Sequence, residues 1–158
     1  MNGDSSPDRR FLPLGLDLRA KRCLVVGGGT IGTRKALTLL SAGADVTVVA
    51  PAIGETLREH VDSDYVRHVA DVFREEHLDG MFMVVAATDD EPTNETIARL
   101  ANQRGLLLCD ASSAERSGVI FGALLDREDA TVAVFTGGRS PGHARKTRDK
   151  IAKLLKEK

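Results

Sequence analysis

Tryptophan is absent from this chain of 158 residues, and there is a single tyrosine. Single-stranded nucleic acid is bound largely by stacking bases on aromatic side chains, so no nucleic-acid partner is expected. Only two cysteines are present, Cys23 and Cys109, each inside an apolar run. They read as two buried thiols in strands rather than a disulfide framework. His60, His68, His77 and His143 are scattered, and no Cys-x-x-Cys or His-x-x-x-His pattern occurs, so no metal site is predicted. No apolar run approaches the roughly 18 residues of a membrane span. The opening MNGDSSPDRR lacks the apolar stretch of a secretory signal. These absences predict a cytoplasmic protein with no membrane partner. Residues 1–10 read as a disordered lead.

What is present is an ordinary soluble composition, 42% hydrophobic and 28% charged, with a formal net charge of −1. That charge is unevenly spread. Residues 139–158 hold eight Lys or Arg against two acids. A basic end on a near-neutral chain fits an acidic ligand, or simply a solvated helix face.

Hydrophobic periodicity then gives the organisation. RCLVV at 22–26 is a β-branched run suited to a buried parallel strand. GGGTIG follows, then RKALTLLSA at 34–42 with helical period, ended by Gly43. DVTVV at 45–49 is a second strand. A short helix is predicted over 55–60, strands over 65–70, 81–87 and 106–109, a short connection at 75–80, and a helix over 90–104 with Pro92 in its first turn. Alternating strands and helices call for a doubly wound, mostly parallel sheet of the Rossmann-like α/β class, here assigned to residues 11–112. After it, apolar strands at 119–125 and 131–135 are spaced as an antiparallel hairpin added to that sheet. A turn at 136–141 leads into an amphipathic basic helix over 141–158, so 113–158 forms a second segment.

Gly27-x-Gly29-x-x-Gly32 is the dinucleotide fingerprint. Alone it would be weak, but here it follows a strand and opens a helix inside a βαβ unit. Gly27 permits the tight turn, Gly29 lets backbone approach a pyrophosphate, and Gly32 lets helix and strand pack closely. The helix N-terminus then offers free N–H groups to the phosphates. The acidic residue expected about 20 positions on, to hold the ribose, is missing. Ala50 and Pro51 stand there, and the backbone of Ala50, Pro51 and Ala52 is the substitute.

FLPLGLDLRAKRCLVVGGGTIGTRKALTLLSAGADVTVVAP, followed by VVAATDDEPTN at 84–94, VIFGALLDRED at 119–129 and TVAVFTGGRSPGHARKTR at 131–148, resembles the precorrin-2 dehydrogenases, the siroheme-synthase N-terminal module. The resemblance implies NAD as cofactor and dehydrogenation of precorrin-2 to sirohydrochlorin, within siroheme and cobalamin synthesis. In some members it also implies metal insertion. By matching motif positions it implies that Thr30, Ile31, Pro51 and Ala52 touch NAD, and that Thr88 and Asp89 line the cofactor crevice. Asp89 and Asp90 also fit a helix N-cap with its favourable first-turn charge. An intertwined homodimer built on the hairpin is implied too, with relatives continuing into a further helical region.

The sequence departs from that family at the segment after the fifth strand. A family aspartate tied to catalysis and chelation falls, counting from Thr88 without gaps, on Ser112, while Asp110 lies two residues earlier. Residues i and i+2 of an extended segment face the same way, so Asp110 either supplies the carboxylate or merely closes the strand. The resemblance places Ser112, Arg139, Ser140 and Arg145 toward an acidic tetrapyrrole, and Asp110, His143 or water accepts the proton, with Asp110 preferred. Two rivals stand beside this reading: a bifunctional dehydrogenase and metal chelatase, and a non-catalytic NAD(H)-sensing module, whose fold would be the same.

Overall fold

The computed structural model describes residues 11–156. Residues 1–10, expected as a disordered lead, lie outside the described residues, as do the last two positions of the expected C-terminal helix. The described residues divide into two compact units, 16–119 and 120–156, the latter grouped with residues 11–15.

The larger unit is an α/β layer structure. Strands β1 (Arg22–Val26), β2 (Asp45–Val49), β3 (Val66–Val69), β4 (Met83–Ala86) and β5 (Leu107–Asp110) pair throughout in parallel, in the order β3-β2-β1-β4-β5. Helices α1 (Thr30–Ser41), α2 (Glu55–Asp62) and α3 (Glu91–Gln103) connect them, with a 3-10 turn at Glu75–Leu78. The continuous apolar runs are explained by burial on both faces. Leu24, Val26, Val84, Ala86 and Leu108 form one core cluster with Ile97, Ala98, Leu100 and Ala101 of α3. Alternate residues turn to the other face, where Val25 lies close to Gly32 of α1. Cys23 and Cys109 are buried in β1 and β5, as expected.

Strands β1 and β2 have the predicted bounds, whereas α1 begins four residues before the predicted start at position 34. Its first turn carries no apolar stripe, since Ile31 there is 47% exposed. The strand order reverses between β1 and β4, so a crevice opens above their carboxyl ends, where ligands of such sheets sit.

The smaller unit holds the antiparallel pair β6 (Ala123–Asp126) and β7 (Thr131–Val134), packed against α4 (Pro141–Lys156). Arg148 donates to the Leu124 carbonyl at 3.1 Å, tying α4 to β6. The expected hairpin is present, but it forms its own two-stranded sheet and does not extend the parallel one. The reason lies at the edge of β5. Its outward carbonyl at Leu108 accepts from both Gly118 and Val119 N–H groups at 2.9 Å. Its outward N–H at Asp110 donates to Ser117 Oγ at 2.8 Å. The segment after β5 therefore occupies the bonds a sixth strand would need.

Candidate functional site

The glycine turn is shaped by close approach. Gly27 has φ of +119°, and a Cβ there would lie 2.3 Å from the Ala87 carbonyl oxygen beyond β4. A Cβ on Gly32 would lie 2.1 Å from the Gly27 carbonyl oxygen, and one on Gly28 would lie 2.1 Å from that of Ala52. Gly28, outside the fingerprint, is thus sterically required as well. A Cβ on Gly29 would meet nothing within 4 Å. Gly29 is the N-cap of α1, has no side chain to cap with, and no acid stands in the first turn. Open space, free N–H groups and the positive end of the helix coincide there, the arrangement that suits a pyrophosphate. Thr30 and Ile31 are exposed at this turn.

The ribose end differs from the usual pattern. Ala50 is only 4% exposed. Its N–H donates to the Val69 carbonyl at 3.1 Å and its carbonyl is 2.9 Å from His68 Nε2. Both backbone groups of Ala50 thus already have a partner within the chain, and the neighbouring Pro51 and Ala52 are exposed. A cavity of about 680 Å³ extends from Gly28, Gly29 and Thr30 along Arg34 and Thr38 of α1 to Gly54, Glu55 and Thr56 at the start of α2.

Across the crevice, the ends of β4 and β5 are joined by polar side chains. Asn94 in α3 is 1% exposed. Its Oδ1 accepts from Thr88 Oγ1 at 2.8 Å and from Thr88 N–H at 3.2 Å, and its Nδ2 donates to the Thr88 carbonyl at 3.0 Å. The Thr88 hydroxyl thus turns inward, and Asp89 beside it is exposed at the rim. Asp90 caps α3, accepting from Thr93 N–H at 2.9 Å. That hydrogen bond holds its carboxyl below the usual carboxylate range.

Asp110 closes β5 with its side chain fully buried. One oxygen accepts from Ser112 Oγ at 2.6 Å, Ser112 N–H at 2.9 Å and Ser113 N–H at 3.2 Å, and the other from Arg116 Nε at 2.7 Å. Burial pushes this carboxyl up, but the hydrogen bonds from Arg116 and Ser112 outweigh it and hold it below its ordinary value. Arg116 is raised in turn by Asp110 and by Glu91, the latter 2.5 Å away. Ser112 Oγ also accepts from Arg116 at 3.0 Å. Asn94, Arg116 and Ser117 thus organise the rim, and none was singled out from sequence. Asn94 alone carried a signal, a polar residue on the stripe otherwise filled by Ile97, Ala98 and Ala101.

In the smaller unit, Arg139, Ser140, His143 and Arg145 are exposed around the start of α4. Ser140 Oγ accepts from His143 N–H at 3.4 Å, as a capping residue does. Among the described residues, the His143 ring makes no hydrogen bond, and no group of three His, Cys, Asp or Glu side chains is placed to hold a metal. No helix among the described residues is long and apolar enough to cross a membrane.

Residues 14–123 match the family described as "Putative NAD(P)-binding". The chain is 41% identical over 145 residues to the siroheme synthase of Photobacterium profundum, covering 92% of this chain and 31% of that protein. Siroheme synthase 1 of Pectobacterium atrosepticum is also 41% identical over 145 residues, with 92% and 30% covered. The chain thus spans under a third of the length of these curated relatives. Among solved structures, SirC, a precorrin-2 dehydrogenase, superposes with a TM-score of 0.81 at 30% identity, covering 91% of this chain and 71% of that one.

Proposed function

The chain belongs to the family of precorrin-2 dehydrogenases and siroheme-synthase N-terminal domains, and on that premise we propose that it oxidises precorrin-2 to sirohydrochlorin with NAD. The observation that carries the proposal is the uncapped start of α1 at Gly29, open where a Cβ would stand and placed at the switch point of the sheet. Gly27, Gly28 and Gly32 shape the turn that holds the pyrophosphate, Thr30 and Ile31 flank it, and Pro51 and Ala52 border the ribose. The backbone at Thr88 and the carboxylate of Asp89 border the nicotinamide end.

NAD bound in this crevice supplies the hydride acceptor. The chain's own work is to orient the macrocycle and to take up the proton that leaves with the hydride. Arg139 and Arg145 meet the substrate's carboxylates, with Ser140 as a neutral donor. His143, at the same helix start, is assigned as the proton acceptor in this reading, because an imidazole nitrogen is a base able to take up a proton. Asp110, preferred for that role on sequence grounds, is held by four donors and depressed in pKa. We assign it, with Ser112, to positioning the loop after β5 rather than to proton transfer. The protein acts as a homodimer in the cytoplasm.

The test is anaerobic incubation with precorrin-2 and NAD, followed by absorbance. Appearance of NADH together with the sirohydrochlorin spectrum is expected. NAD binding without turnover would reduce the protein to a dinucleotide-binding module. Repeating the incubation with ferrous or cobaltous ion reads metal insertion separately.

A further inference from the structure

We propose that Glu55 recognises the adenosine ribose of the dinucleotide, standing in for the carboxylate missing at Ala50, and sets a preference for NAD over NADP. The assignment rests on the cofactor reading above. A pyrophosphate at the start of α1 directs the adenosine toward the end of β2. The cavity runs that way, from Gly28, Gly29 and Thr30 to Gly54, Glu55 and Thr56. Among the described residues, Glu55 is its one lining carboxylate and Arg34 its one lining cation.

Ala50 is buried, its N–H and carbonyl each have a partner within the chain, and its methyl group can form no hydrogen bond with a ribose. The chain beyond it is nonetheless well fixed. His68 holds the Ala50 carbonyl, Ile53 is buried, and Leu57 is fully buried in the first turn of α2. Glu55 lies between those two anchors and is exposed. Among the described residues it makes no hydrogen bond or ion pair, and a Cβ on neighbouring Gly54 would meet nothing within 4 Å. An anchored backbone carrying an uncommitted carboxylate on a cavity wall is what ribose recognition needs. The two ribose hydroxyls of NAD donate to a carboxylate, whereas the 2′-phosphate of NADP is repelled by it. A first-turn acid also favours its own helix, but that role would not distinguish the two cofactors.

Removing the charge leaves Arg34 as the only charged side chain on the cavity among the described residues. Glu55→Gln is therefore expected to weaken NAD binding roughly tenfold and to tighten NADP binding, while Glu55→Gln combined with Arg34→Met loses the gain for NADP. Both dissociation constants are read by titration calorimetry on the full chain, with thermal denaturation as the folding control. Wild-type affinities for both dinucleotides in Glu55→Gln would overturn the assignment while leaving the cofactor site intact. A lowered melting temperature with an unchanged NAD to NADP ratio would overturn it equally, by reducing Glu55 to a helix-start acid. A wild-type chain that binds neither dinucleotide would overturn the cofactor reading, and this assignment with it.

Discussion

Arg116 Nε donates to Asp110 Oδ2 at 2.7 Å, joining the end of β5 to a residue six positions further on. The same guanidinium reaches Glu91 and Glu95 of α3. One arginine thus clamps the last parallel strand, the loop beyond it and the last crossover helix together.

Asp110→Asn should lower stability and spare cofactor binding. Removing one partner of a buried pair typically costs about 3–5 kcal/mol. Here about 2 kcal/mol is expected, because Arg116 is partly solvated and keeps Glu91. Thermal denaturation reads the loss, and NAD titration should be unchanged. Turnover per folded molecule should also survive, in keeping with a carboxylate that positions its loop.

The pair also sets an acid limit. The folded Asp110 carboxyl lies below its unfolded value, so its contribution is present at neutral pH and is lost as pH falls below about 4. Arg116→Met removes the guanidinium and leaves burial opposed by Ser112 alone, raising that carboxyl relative to the wild type. The acid-unfolding midpoint of Arg116→Met, followed by circular dichroism, should therefore move to higher pH. A midpoint identical to wild type would remove the pair from the acid response.

Gly28 and Gly29 should separate folding from binding. Gly28→Ala forces a methyl to within 2.1 Å of the Ala52 carbonyl oxygen and should destabilise by about 1–3 kcal/mol, as overpacking does. Gly29→Val meets open space in the free protein, so it should fold normally and lose NAD. Melting temperatures and calorimetric titration of the two variants check the contrast.

Light scattering at working concentration should show a homodimer. Among the described residues, the hairpin β6–β7 pairs with no other strand, so both its outer edges lack a strand partner, and such edges tend to be covered. Leu124 is 36% and Leu154 65% exposed in the same unit. A single monomeric species would overturn this.

The parallel sheet was legible because the central strands β1 and β4 are apolar on both faces and the runs are punctuated by Gly, Pro and Asp. Val25, Val48 and Val85 are fully buried where the runs predicted. The fingerprint located the turn, yet its neighbour Gly28 was missed, because its constraint comes from Ala52, distant in sequence. The start of α1 was missed because Gly29 caps by backbone alone and Thr30–Thr33 carries no stripe. Arg116 gave no signal, since an arginine in a polar loop looks solvated until the fold brings Asp110 and Glu91 to it. The placement of the hairpin could not be read from spacing, which predicts strand pairing within the hairpin but not what lies beside it.

Ser117, Gly118 and Val119 take up the outward Leu108 carbonyl and Asp110 N–H of β5, and this makes the parallel sheet asymmetric as a template. At the β5 end an incoming strand, whether from another copy of the chain or from a partly unfolded neighbour, finds the terminal carbonyl and N–H already taken. Within the parallel sheet, β3 is the other edge strand, at the opposite end. Edge-to-edge aggregation of this layer is thereby directed to the four residues Val66–Val69, where a charged Arg67 stands as a natural deterrent.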